Sequence, residues 1–205
     1  TVLIAVASVA LVVLLLLAWF FAGLLFRRRF QFGIRSLLVL ILAVAIERLA
    51  ELVVSKRNAR WAMSRGGREY GLGHYPVMVA IHSLLLVGCV LEVWLLHRPF
   101  LPWLGWPMLA LVVAAQALRW WCITTLGHRW NTRVIVVPDA PLVNAGPYRW
   151  LHHPNYVAVV VEGVALPLVH TAWWTALCFT VANAWLLTVR IRLENAALGY
   201  ADARV

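Results

Sequence analysis

Two short polar segments near the end of the chain carry residue types that could bind a charged ligand. Residues 141–156 read Pro-Leu-Val-Asn-Ala-Gly-Pro-Tyr-Arg-Trp-Leu-His-His-Pro-Asn-Tyr, and residues 190–198 read Arg-Ile-Arg-Leu-Glu-Asn-Ala-Ala-Leu. In the second segment Arg190 and Glu194 lie one helical turn apart on the same helix face. This arrangement is typical either of an ordinary ion pair at a helix end or of a site that binds a charged small molecule.

The composition predicts an all-α protein, a polytopic transmembrane helical bundle. The chain has 205 residues, of which 63% are hydrophobic. Apolar runs of ~20 residues, the length that crosses a bilayer core as a helix, recur along it. The 18 Lys and Arg outnumber the 8 Asp and Glu and lie mainly between these runs. We therefore expect contacts with anionic membrane lipids and no nucleic-acid partner.

The apolar runs divide a single integral membrane domain, 1–205, into two parts. Residues 1–126 are expected to form four N-terminal spans, and residues 127–205 a catalytic loop, a helical hairpin and a C-terminal helix. The expected spans are 2–26, 36–54, 77–96 and 107–126. Residues 55–75 are expected to form a polar loop, and the β-branched run that ends at Val137 predicts a short extended segment.

The last two apolar runs, 155–169 and 171–189, decide where the polar segments lie. The first would be only ~22 Å long as a helix, short of a full crossing of ~30 Å. We expect the two runs to form a hairpin that returns Arg190 and Glu194 to the membrane face of His153. Lys and Arg are more frequent on that face, so the positive-inside rule predicts that the polar segments lie at the cytoplasmic face of the membrane.

Several ionisable residues lie inside the apolar runs, where an unpaired charge is costly. Glu47, Arg48 and Glu51 fit either an internal ion pair or the polar lining of a substrate cavity. Glu92 lies near the end of its span and is expected at the membrane interface. The cysteines lie within apolar runs and have no Cys-x-x-Cys spacing, so neither a metal site nor a disulfide is expected.

The polar segments contain motifs that occur together in a known family. The motifs are Gly146-Pro-Tyr148, His153-Pro-Asn-Tyr156, Arg190-x-x-x-Glu194 and Leu198. In this order and at this spacing they resemble the isoprenylcysteine carboxyl methyltransferase family of integral membrane enzymes, over about residues 120–200. The His-Pro-Asn-Tyr form, Glu162 and the segment 69–76 are most similar to the bacterial branch that methylates long-chain alkylpyrones.

The resemblance implies S-adenosylmethionine as the methyl donor. The residues expected to contact it are Leu142, Val143, Gly146, Tyr148, His153, Tyr156 and Glu194. Arg190 and Glu162 are the expected catalytic residues. Arg190 would hold a carboxylate or the anionic oxygen of the acceptor, and Glu162 would act as a base toward a weakly acidic acceptor. Structural pairing with Arg119 or Asn183 is the alternative for Glu162, and helix capping is the alternative for His153.

The implied function is S-adenosylmethionine-dependent O-methylation of a lipophilic acceptor in the membrane, such as the enol of a long-chain alkylpyrone. An acidic enol is ionised at neutral pH, so catalysis would rest on positioning and on exclusion of water. Methylation of an isoprenylcysteine carboxylate or of another lipid is the alternative within the same chemistry. A non-catalytic membrane protein or small transporter, whose charged residues line a pathway, is the alternative from a different class.

Overall fold

The structure, a computed structural model, describes residues 33–71 and 73–199, and most of this part is helical. The helices are α1 (Ile34–Met63), α2 (His74–Leu95), α3 (Pro102–Leu126), α4 (Pro154–Leu168) and α5 (Trp173–Ala197), with short 3-10 turns at Gly127–Arg129 and Gly146–Arg149 and two strands, β1 (Arg68–Tyr70) and β2 (Val134–Val136). The predicted helical bundle is confirmed. The predicted span 2–26 lies outside the described residues.

Three of the described helices are long and apolar enough to cross a membrane: α2, α5, and α3 together with the turn that follows it. The apolar helix α4 has 15 residues and is shorter than these three. The predicted span 36–54 lies within α1, where three charged residues interrupt the apolar stretch. Many Leu, Val and Trp side chains on the outer helix faces are exposed, as expected for an integral membrane protein whose surface contacts lipid.

The prediction of a polar loop over 55–75 is wrong for its first half, because α1 continues to Met63. The added residues include no proline or glycine, and the helix ends just before a Gly-Gly pair. The added turns of α1 contact the segment that follows α3. The side-chain amide of Asn58 donates hydrogen bonds to the carbonyls of Gly127 (3.0 Å) and Trp130 (2.7 Å), so α1 holds the segment that follows α3.

The helices α4 and α5 form the predicted hairpin. Pro154 is the first residue of α4, a position where its missing N–H costs no helical hydrogen bond. In the turn between the helices, Thr171 adopts a φ of 53°. The helices approach closely at Gly163, where an added Cβ atom would overlap the ring of Phe179. This close packing brings the open ends of the hairpin side by side.

A carboxylate from α2 holds the closed end of this hairpin. The expected position of Glu92 at the membrane interface stays a prediction. Within the protein the structure buries this residue, with 8% of it exposed. Its oxygens accept hydrogen bonds from the backbone amides of Trp174 (3.2 Å) and Thr175 (2.7 Å) and from the guanidinium of Arg98 (3.1 Å). Glu92 therefore caps amides that the first turn of α5 cannot satisfy within the helix.

A buried ionic network joins α1, α3 and α4. Arg48 donates to both carboxylate oxygens of Glu51 (2.8 and 2.7 Å) and of Glu162 (2.9 and 2.7 Å). Arg119 also pairs with Glu162, and Gln116 donates to it at 3.3 Å. Glu162, Glu51 and Arg119 are almost fully buried. Ion pairing, one of the two interpretations of these residues, is therefore the one that the structure supports.

The strands β1 and β2 pair antiparallel, with Glu69 opposite Ile135. This pairing confirms the predicted extended segment. Next to β2, Arg133 forms an ion pair with Glu69 at 3.3 Å. The two strands join the segment after α1 to the segment after α3 at the open end of the hairpin.

Replacement of Glu162 by leucine would remove one of the two carboxylates that pair with Arg48 and Arg119. Glu51 alone would then face two buried guanidinium groups, so we expect the free energy of unfolding to fall by about 3–5 kcal/mol. Glu162→Gln keeps one acceptor oxygen and should cost less. Thermal unfolding of the purified protein in detergent measures both changes. A Glu162→Leu protein as stable as the wild type would contradict this role of the network.

Candidate functional site

The first turn of α4 contacts the last turns of α5 at the open end of the hairpin. The phenol of Tyr156 donates a hydrogen bond to the carboxylate of Glu194. The Nδ1 atom of His153 lies 3.7 Å from the same carboxylate, and its Nε2 atom lies 3.0 Å from the side-chain oxygen of Asn195. The predicted proximity of the two polar segments is therefore confirmed.

A cavity lies beside this contact, between the hairpin, the strand β2 and the loop that precedes α4. The sequence-predicted residues that line it are Leu142, Val143, Tyr148, His153, Tyr156, Arg190 and Glu194. These residues come from a loop and from two helices, and the hairpin brings them together. The loop contributes the apolar residues Leu142 and Val143 to the lining, and the helix ends contribute the polar residues.

Arg190 is the most deeply buried charge in this cavity, with 6% of the residue exposed. Its Nη2 atom donates to the backbone carbonyl of Thr132 (2.9 Å), and its Nε atom lies 3.5 Å from the hydroxyl of Tyr156. Within residues 33–71 and 73–199, no carboxylate lies within ion-pair distance of its guanidinium. A buried cation with no counter-ion is costly, so an anionic ligand group would stabilise this position.

The cavity as a whole carries a positive excess. Of its described lining residues, Arg129, Arg133 and Arg190 are basic, whereas Glu194 is acidic. The side chain of Glu194 is 31% exposed and can accept hydrogen bonds beyond the one from Tyr156. A guanidinium and a carboxylate in one cavity complement a ligand that carries both an anionic and a cationic group.

Two further polar residues at the cavity were not selected by the sequence analysis. Trp130 is 3% exposed, and its indole Nε1 has no hydrogen-bond partner in the described part of the chain. The side-chain oxygen of Asn155 is likewise buried without a partner there. Both atoms are covered by neighbouring groups and do not face the open cavity, so each is a buried unsatisfied polar group that costs about 1–3 kcal/mol. The signal for Asn155 is its place within the His-Pro-Asn-Tyr motif, and the signal for Trp130 is an indole in a polar segment between spans.

The wall that contains Trp130 is fixed by α1 and α5 together. The hydroxyl of Ser55 on α1 accepts a hydrogen bond from the backbone N–H of Thr132 (3.1 Å), while Arg190 on α5 donates to the carbonyl of the same residue. Ser55 also donates to the side-chain oxygen of Asn131 (2.7 Å). The backbone that lines the cavity is thus held from two sides before any ligand binds.

Tyr148 joins the loop to α3 at the edge of the cavity. Burial raises its pKa, and the neighbouring Cys122 thiol acts in the same direction. Tyr148 is therefore a neutral phenol at physiological pH and can donate a hydrogen bond.

The remaining two sequence-predicted residues do not line this cavity. Gly146 has a φ of 53°, and an added Cβ atom would overlap the hydroxyl of Thr125 and crowd the indole of Trp121. Glycine therefore allows the loop to lie directly against α3. Glu162 lies in the ionic network, bonded to Arg48 and Arg119. Cofactor contact by Gly146 and catalysis by Glu162 stay predictions from the sequence.

Known proteins are similar to this chain over the region that contains the candidate site. The model of the isoprenylcysteine carboxyl methyltransferase (ICMT) family matches residues 108–200. The uncharacterized protein YpbQ of Bacillus subtilis (strain 168) is 38% identical over 161 residues, which cover 78% of this chain and 95% of that protein. An uncharacterized protein of Haemophilus influenzae is 24% identical over 156 residues, 75% of this chain and 89% of that protein. This chain therefore belongs to the isoprenylcysteine carboxyl methyltransferase family of membrane proteins.

Proposed function

We propose that this protein is an S-adenosylmethionine-dependent O-methyltransferase whose acceptor is a lipophilic molecule with an acidic hydroxyl. Family membership supports a membrane methyltransferase. The observation that carries the finer proposal is the buried guanidinium of Arg190, which shares a cavity with Glu194 and has no carboxylate partner in the described structure. This pair is complementary to the amino-acid part of the methyl donor.

The residues at the cavity fit the groups of this cofactor. Arg190 would hold its carboxylate through charge-assisted hydrogen bonds. Glu194 would accept from its ammonium group or its ribose hydroxyls. Leu142 and Val143 would pack against the adenine ring.

When bound, S-adenosylmethionine supplies a methyl group activated by a positively charged sulfur. The residues of the chain have to orient the acceptor and keep water away from it. The basic lining, to which Arg129 and Arg133 contribute, favours an acceptor oxygen that is already anionic. Such an oxygen needs no protein base. The network that surrounds Glu162 already engages its carboxylate, so that residue takes no step in the proposed reaction.

We propose the enol of a long-chain alkylpyrone as the acceptor, with an isoprenylcysteine carboxylate as the competing candidate. Both would be anionic at neutral pH, and both carry a hydrocarbon chain that can remain among the exposed apolar faces of the helices. The similarity to the alkylpyrone-methylating branch supports the enol.

We also propose that the cavity faces the cytoplasm, because the basic residues Lys56, Arg57 and Arg60 lie on the last turns of α1 at this end.

Removal of the buried guanidinium tests the cofactor site. We expect Arg190→Ala to weaken the binding of S-adenosylhomocysteine by about 10-fold to 100-fold, because a hydrogen bond to a charged group contributes about 1.5–3 kcal/mol. Isothermal titration calorimetry of the detergent-solubilised protein measures the affinity. Arg192→Ala, two residues further along α5 and exposed, is the matched control and should bind as the wild type does. Unchanged affinity in Arg190→Ala would reject the assignment.

The acceptor is tested by methyl transfer from labelled S-adenosylmethionine to candidate lipids in proteoliposomes. We expect labelled product with a long-chain alkylpyrone and little or none with a prenylated cysteine. The rate should fall as the pH drops below the pKa of the enol, because the neutral enol is a poor nucleophile. The variant Glu162→Gln should retain transfer if it remains folded. Transfer to the prenylated cysteine alone would replace the proposed acceptor, and loss of transfer in folded Glu162→Gln would restore that residue as a base.

A further inference from the structure

A second cavity lies on the outer side of the loop that closes the first one. The two cavities share the wall residues Leu126, Arg129, Val137, Ala140 and Pro141. The second cavity extends from this wall to the end of α1, where Trp61 and Arg65 line it. Nothing in the proposed methyl transfer uses this space.

The basic side chains of this outer cavity are held in a stacked arrangement. The rings of Trp61 and His128 stack with centroids 5.4 Å apart and an interplanar angle of 23°. The guanidinium carbon of Arg65 lies 4.6 Å from the centroid of the Trp61 ring. Arg129 donates a hydrogen bond to the carbonyl of Pro141, which orients its guanidinium along the shared wall. The charged groups are therefore positioned by the fold.

These guanidinium groups have no acidic counter-ion. Neither Arg65 nor Arg129 forms an ion pair with a carboxylate of residues 33–71 and 73–199. Asp139 also lines the cavity, so its lining contains two Arg, one His and one acidic residue. The balance favours an anionic ligand, and planar guanidinium groups suit the oxygens of a phosphate.

The position of the cavity relative to the membrane indicates where such a phosphate comes from. The candidate span that comprises α3 and the turn after it has 28 residues, from Pro102 to Arg129. At about 1.5 Å per residue it is longer than the ~30 Å of a hydrocarbon core, so we infer that Arg129, at its end, lies in the headgroup layer. Trp61 has the amphipathic ring typical of the headgroup layer. Lys56 and Arg60 lie on the preceding turns of α1 and add positive charge at the same level. Phosphates at this depth belong to lipids.

We propose that the outer cavity binds the phosphate headgroup of an anionic phospholipid, through the guanidinium groups of Arg65 and Arg129. The lipid tails would lie along the exposed apolar side of the bundle. This site shares the wall around Arg129 with the methyl-donor cavity, but its ligand takes no part in the proposed reaction.

The test uses the detergent-solubilised protein and three soluble ligands. These are dihexanoyl phosphatidylglycerol, dihexanoyl phosphatidylcholine and glycerol phosphate, and the readout is the thermal unfolding temperature as a function of ligand concentration, which reports binding by mass action. We expect the anionic lipid alone to raise the unfolding temperature. An equal rise with phosphatidylcholine would reject recognition of the net anionic charge. An equal rise with glycerol phosphate would reject recognition of a lipid.

Matched variants assign the binding to the cavity. Arg65→Gln should lower the apparent affinity for the anionic lipid about fivefold. The double variant with Arg129→Gln should lower it further, because each basic residue near an anionic headgroup contributes a similar share of the binding free energy. Arg35→Gln removes an exposed arginine at the opposite end of α1 and should leave the affinity unchanged. The unfolding temperature of each variant without lipid shows whether it is folded. A folded Arg65→Gln protein with wild-type affinity would overturn the proposal, whatever the outcome with S-adenosylhomocysteine.

Discussion

The contact of Tyr156 and His153 with Glu194 is the constraint on which the site depends. Polar groups at a helix end cannot remain in hydrocarbon, so both ends of the α4–α5 hairpin have to reach the same polar layer. Once they do, Arg190, one helical turn before Glu194 on α5, lines the same cavity as Glu194. The cavity follows from this geometry, since the loop before α4 and the strand β2 have to cover the remaining side.

Charge is distributed unevenly between the two polar regions of the bundle. In the interior, Arg48 and Arg119 are matched by the carboxylates of Glu51 and Glu162, and the network joins three helices. At the cavity, Arg190 has no such partner in the described structure. Buried ion pairs contribute little net stability, but they specify which helices lie together. The unpaired charge of Arg190 lowers stability, and the anionic ligand group of the proposed function would offset this cost.

Apolar composition and run length predicted the helical bundle and the hairpin, and the resemblance to the family selected the residues that the hairpin brings together. The sequence did not predict that α1 continues past the apolar run, since the polar residues Ser55 and Asn58 have partners far along the chain. The partner of Glu162 on α1, Arg48, is 114 residues away and could not be inferred from local spacing. Trp130 was missed because an indole near a membrane surface is usually an anchor.

Hydrogen bonds to other helices hold α5 near both of its ends. Near its start, Glu92 caps backbone amides of its first turn, and near its end the carboxylate of Glu194 is held by α4. Because both ends are held, α5 cannot shift along its own axis without breaking one of these contacts. Under the proposed function, an acceptor that enters between the helices would therefore have to separate them sideways, by tilting of the helices or by rotation of side chains. Its entry would then be limited by how far neighbouring helices separate, while Arg190 keeps its position relative to the ends of α5.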